Sequence, residues 1–153
     1  MPDFWRVEVF HPMVVHFPVA LLIIATLFKL ISTLRPNLTW TRSYLVLLII
    51  GVVGAWVAVY TGNLADGEVS RTLCDPTVLK DHENLSYATA WIFSAALILS
   101  FAEKTVAKLK GLILLLLIVG SGFLSYTGHL GASLVYQQAA GVHTPDEDCA
   151  DFE

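Results

Sequence analysis

Charge is scarce in this chain. Asp, Glu, Lys and Arg make up 14% of its 153 residues, where a soluble domain carries roughly 25%. The basic residues are also the minority, nine against thirteen acidic, for a net charge of −4. That balance leaves no electrostatic footprint for phosphate backbones and excludes a nucleic-acid binder. Cysteine is nearly absent: Cys74 and Cys149 are the two in the chain. Neither belongs to a Cys-x-x-Cys-His motif, which excludes covalent attachment of a c-type haem. No internal repeat or low-complexity tract is present, and no nucleophile–base–acid set marks a hydrolase. A non-enzymatic carrier or subunit fits this inventory better than an enzyme.

Hydrophobic residues fill the space that charge leaves, at 56%. Four apolar runs, at about residues 12–34, 43–62, 84–102 and 112–136, reach the roughly 20 residues needed to span a hydrocarbon core. Each is apolar all round, and backbone groups in lipid must be satisfied within the segment, so helices are expected. The expected fold is all-α, a single four-transmembrane-helix bundle. Residues 63–83 form an outer loop in this reading, and residues 137–153 an acidic outer tail. Pro12 is expected at the first helical position of the first span.

Basic residues set the expected orientation. Lys29, Arg35, Arg42, Lys104, Lys108 and Lys110 belong to the two short connections, against Arg6, Arg71 and Lys80 on the other side. The positive-inside rule places the short connections in the cytoplasm and both termini outside. Cys74 and Cys149 then share the oxidising side, where they would form a disulfide.

Five histidines are present, and four gather toward one face: His11, His16, His82 and His129. His143 lies in the tail and carries no membrane argument. At 1.5 Å per residue, His16 lies about 6 Å below one end of its span and His129 about 10 Å below the matching end. These two form an inner pair, with His11 and His82 near the rim. His11 and His16 point about 140° apart on one helix, which indicates two separate roles. Small residues (Gly51, Gly54, Ala55, Ala58, Gly62, Gly122, Ser125, Ala132 and Ser133) leave room for close packing or a flat cofactor.

Ionisable residues inside membrane spans are rare and usually functional. Two neutral imidazoles at matched depth make the bis-His ligation of a b-type haem. His16 and His129 are the preferred haem-iron ligands. His11 and His82 would bind a second haem or another metal, or hold propionates or a quinone at the rim. Copper or zinc on the same histidines is the alternative, and a cofactor-free structural subunit of a larger complex is the third reading. Asp66 is the carboxylate placed to support a ligating histidine.

HPMVVHFPVALL (residues 11–22) and GHLGASLVYQQAAGV (residues 128–142), with GNLADGE and DHENLSYATA between them, resemble the signature motifs of DUF2231, small four-helix bacterial membrane proteins. Ala132 departs from the pattern, which commonly has a second glycine there. The resemblance implies a bacterial inner-membrane location, and its histidines fall on His11, His16, His82 and His129. Some relatives are joined to or encoded beside c-type cytochrome domains, which implies redox work. The expected function is therefore electron transfer between quinol and an outer redox partner such as a c-type cytochrome. Besides the bilayer, a second copy or a larger complex is an expected partner.

Overall fold

The computed structural model describes residues 7–103, 106 and 108–142. Its elements are α1 (Val7–Leu34), α2 (Leu38–Val69), α3 (Pro76–Ala102) and α4 (Leu109–Gln138), and no strand occurs among the described residues. All four helices are long and apolar enough to cross a membrane. At 27 to 32 residues they run about 40 Å or more, beyond the roughly 30 Å of a hydrocarbon core.

The helices are longer than the apolar runs. The stretch expected as an outer loop, 63–83, is helical except for residues 70–75. Hydropathy marks the part of a helix that lipid requires to be apolar. It does not mark where the backbone stops hydrogen-bonding, and local caps decide that. Asp75 caps α3 by accepting from the Thr77 amide at 2.9 Å, with Pro76 at the first helical position. Asn37 caps α2 in the same way, accepting from Thr39 at 2.8 Å. α4 ends where Ala139 turns left-handed, φ 54°, and the Ala140 amide reaches back to the Leu134 carbonyl at 3.0 Å.

Pro12 does not start α1. The helix begins at Val7 and carries both Pro12 and Pro18 inside it. Pro12 lies in the second turn, past the first four residues whose N–H groups have no partner in the helix, so it removes one backbone hydrogen bond from α1. The extra turn brings His11 into the helix rather than leaving it before one.

Consecutive helices run antiparallel. The most extensive contacts are within two hairpins, α1/α2 and α3/α4, which meet along thinner seams at α2/α3 and α1/α4. The Thr26 and Ser121 hydroxyls, 3.1 Å apart, bridge the α1/α4 seam. One end of the bundle holds the α1–α2 and α3–α4 connections, and we call it the lysine end. The other holds four of the histidines and is the histidine end.

The two halves have different interiors. The continuous apolar core is Leu22, Ala25, Leu48, Val52, Phe93, Ala96, Ile113 and Leu117 with Tyr44, all at mid-bundle or toward the lysine end. The buried residues toward the histidine end are mostly smaller or polar: Ala58, Ala65, Thr89, Ala90 and Thr127, with Pro18 and Leu134 the exceptions.

Lys29 is not part of a basic cytoplasmic turn, as its place in the sequence suggested. Its side chain is 1% exposed and pairs with Glu103 at 2.6 Å. The Tyr44 hydroxyl donates to the other Glu103 oxygen at 2.6 Å, and the Lys29 ammonium lies 4.6 Å from the centre of the Tyr44 ring. Burial would raise the Glu103 carboxyl, but bonds from Lys29 and Tyr44 outweigh it and hold the group below its ordinary value of 4.5.

Removing one partner of a buried ion pair strands the other. Lys29→Met should lower unfolding stability in detergent by about 3 kcal/mol, and Lys29→Met with Glu103→Gln should recover most of that loss. Because folding depresses the Glu103 pKa, its contribution is present above 4.5 and lost as pH falls through its lowered folded value. Thermal unfolding scans between pH 7 and pH 3 should therefore show a steeper acid loss in the native chain than in Glu103→Gln.

Candidate functional site: two tethered imidazoles

α1 and α3, which are diagonal in the bundle, bring His11 and His82 together. Their ring centres are 6.1 Å apart and the ring planes cross at 83°. Each ring is fixed by its own hairpin partner. His11 Nδ1 lies 2.9 Å from the Ala58 carbonyl on α2, and His82 Nδ1 lies 3.0 Å from the Thr127 carbonyl on α4. A carbonyl can only accept, so each Nδ1 carries a proton and donates it. In the neutral ring Nε2 is then the nitrogen with the lone pair. This is the arrangement in which a histidine binds metal, its other nitrogen held by a carbonyl.

Glycines stand where these rings need room. A Cβ at Gly62 would come within 3.2 Å of His11 Cε1 and Nδ1, and one at Gly131 within 3.2 Å of His82 Cε1. The Thr61 hydroxyl also approaches His11 Nδ1, at 3.5 Å. Ala58, Ala65 and Thr127 complete a lining of short side chains at this end. No group of three or more His, Cys, Asp and Glu gathers among the described residues, so the site is a pair of imidazoles.

The other two histidines point elsewhere. His16 is exposed, and its Nδ1 lies 2.6 Å from the Pro12 carbonyl of its own helix. His129 is exposed and stacks on Tyr126, with ring centres 6.2 Å apart and planes at 20°. Depth along the helix had grouped these two as the inner pair, whereas the bundle interior holds His11 and His82. Depth fixes a residue's level but not its azimuth, and five residues of helix turn His16 about 140° from His11.

Asp66 lines a shallow surface groove with Ser70, Lys80 and Glu83. Cys74 is exposed in the 70–75 connection. Cys149, its expected disulfide partner, and His143 lie outside the described residues. Beside the histidine pair, aromatic side chains close the α2/α3 seam. The Trp56 indole donates to Ser94 at 3.0 Å and packs edge-on to Trp91, and the Asn63 amide donates to Tyr87 at 2.6 Å.

The fold and site together define a class: a multi-pass membrane protein, a four-helix bundle carrying a histidine pair at one end. The chain belongs to the DUF2231 family, described as predicted membrane proteins, whose model matches residues 8–144. No curated protein and no solved structure matches it.

Selective ¹⁵N labelling of histidine gives a direct check on the tethers. Long-range ¹H–¹⁵N spectra at neutral pH should show His11 and His82 in the Nδ1–H tautomer, the less common one for free imidazole. The partners of Nδ1 are the backbone carbonyl oxygens of Ala58 and Thr127, so a dominant Nε2–H form at either ring would contradict the site.

Proposed function

We propose that the chain is a b-type cytochrome, an electron-transfer subunit whose haem iron is held by His11 and His82. The observation that carries this reading is the tethered pair. Two metal–nitrogen bonds of about 2.0 Å and two imidazole half-widths of about 1.2 Å would separate ring centres by about 6.4 Å. The observed 6.1 Å is close to that separation. The Nδ1–H tautomer leaves Nε2 of each ring as the nitrogen with the lone pair, and Gly62 and Gly131 make room for the two rings themselves.

When bound, such a group supplies reversible one-electron transfer, and its potential depends on axial ligands and surroundings. The chain's own part is to fix the ligands. The Ala58 and Thr127 carbonyls orient the rings and make each imidazole a better donor. Backbone oxygens of helices cannot swing away, so the tethers cost little reorganisation during electron exchange. Thr61, Thr89 and Thr127 place hydroxyls near this level, and each of the three donates to a carbonyl of its own helix.

His16 and His129 serve a second role in this reading, on the outer surface of α1 and α4. Arg35, Arg42, Lys108 and Lys110 at the lysine end support a cytoplasmic position for that end in this reading, with the histidine end outside, at the inner membrane of a bacterium. Electrons then pass between membrane quinol and an outer redox partner. A second reading keeps the same pair but gives it a single copper or zinc ion. Its support is the ligand count, since two imidazoles can serve a two-coordinate copper(I) ion, whereas zinc would need further ligands to reach four.

A reduced-minus-oxidised optical spectrum of detergent-purified protein, with haem quantified per chain, decides between them. A b-type spectrum is expected, with haem content falling at least tenfold in His11→Ala and in His82→Ala. His16→Ala and His129→Ala should retain the haem held by the inner pair. A colourless protein that binds copper or zinc through His11 and His82 would favour the second reading. A chain that holds neither would sink both. Gly131→Val, which puts bulk against His82, should reduce occupancy as His82→Ala does.

A further inference from the structure

We propose that the Lys29–Tyr44–Glu103 triad is a hinge, about which the two hairpins part at the histidine end to admit the group that His11 and His82 hold. The identity of that group rests on the bis-imidazole reading above, whereas the hinge rests on how the hairpins are joined. At the lysine end the joint is strong. Lys29 of α1 and Tyr44 of α2 both bind Glu103 at the end of α3, at 2.6 Å each, inside protein. Leu22, Leu48, Phe93, Ile113 and Leu117 fill the space beside them and belong to all four helices. Large buried side chains give up the most contact area on separation, so this end resists opening.

The histidine end is joined differently. Apart from Pro18 and Leu134, its buried residues are Ala58, Ala65, Thr89, Ala90 and Thr127, which lose little area when they part. The polar links between the hairpins in this half are the Trp56–Ser94 and Asn63–Tyr87 bonds, both on the α2/α3 seam beside the edge contacts of Trp56 with Tyr87 and Trp91. The decisive feature is the direction of the histidine tethers. His11 is bonded to α2, inside its own hairpin, and His82 to α4, inside the other. Parting the hairpins breaks neither bond. Each half carries a finished, oriented ligand, and closing the halves brings the two ligands to opposite sides of whatever has entered. Local opening of this kind is drawn from the least densely packed part of a fold.

The test measures the width of each end by pulsed electron spin resonance in the full-length chain, with Cys74 and Cys149 replaced by Ser. Spin labels at Glu68 and Tyr136 span the hairpins at the histidine end, and labels at Thr39 and Phe101 span them at the lysine end. Without ligand, the histidine-end distances should be at least twice as broadly distributed as the lysine-end distances. Saturating hemin or Zn²⁺ should narrow the histidine-end distribution and leave the lysine end unchanged. Lys29→Met with Glu103→Gln should broaden the lysine end. Equal widths at the two ends without ligand, or widths that change together on loading, would overturn the hinge. If neither hemin nor Zn²⁺ binds, the bis-imidazole reading fails, and the widths without ligand still decide the hinge.

Discussion

A bilayer offers buried polar atoms no water, so every polar group inside this bundle must find its partner within the protein. That constraint accounts for much of the structure. Thr26, Ser86, Thr89, Ser94, Ser100, Ser121 and Thr127 all donate to the carbonyl four residues earlier in their own helices. No buried side-chain nitrogen or oxygen lacks a hydrogen-bond partner among the described residues. The same constraint explains the two exceptional clusters. Lys29 is enclosed only because Glu103 and Tyr44 enclose it, and His11 and His82 are inside only because two helix carbonyls accept their protons.

These clusters lie in opposite halves of the bundle and solve the problem in opposite ways. The lysine end neutralises a charge and packs large side chains tightly against it. The histidine end uses neutral donors on backbone oxygens and lines its interior with short side chains. A triad with both carboxylate oxygens and the ammonium engaged has little coordination left to offer a ligand. A pair of rings with one nitrogen each engaged has one left on each. The contrast is one of unsatisfied capacity, and it separates a structural joint from a binding site without reference to depth or exposure.

Much of the fold was legible in the sequence because lipid imposes a length and a composition on any segment that crosses it. The four apolar runs lie within the four helices for that reason. Helix ends were less legible, since α2 continues through GNLADGE and α3 starts at Pro76, where capping rather than hydropathy governs. The four histidines could be singled out by position, but their pairing could not. Radial direction depends on how α1 turns past Pro12 and Pro18 and on which helices are diagonal, and neither is local information. The Lys29–Glu103–Tyr44 triad was missed outright, although the sequence held a signal for it. Lys29 is the only Lys, Arg, Asp or Glu between Glu8 and Arg35. A lone charge inside an apolar run of that length either reaches a membrane surface or meets a partner, and Glu103, at the end of the third run, was the available one.

The distribution of ligating residue types carries the functional argument further. Every His, Cys and Met of the chain falls outside residues 26–50 and 95–120, the stretches that build the lysine half. That half holds the Leu48, Phe93, Ile113 and Leu117 core and one neutralised ion pair. It therefore offers no histidine, cysteine or methionine ligand. Chemistry at the histidine pair is confined to one end of the molecule. On the redox reading this makes the chain a one-sided carrier, which exchanges electrons with both of its partners from the same end and moves no charge through the bundle.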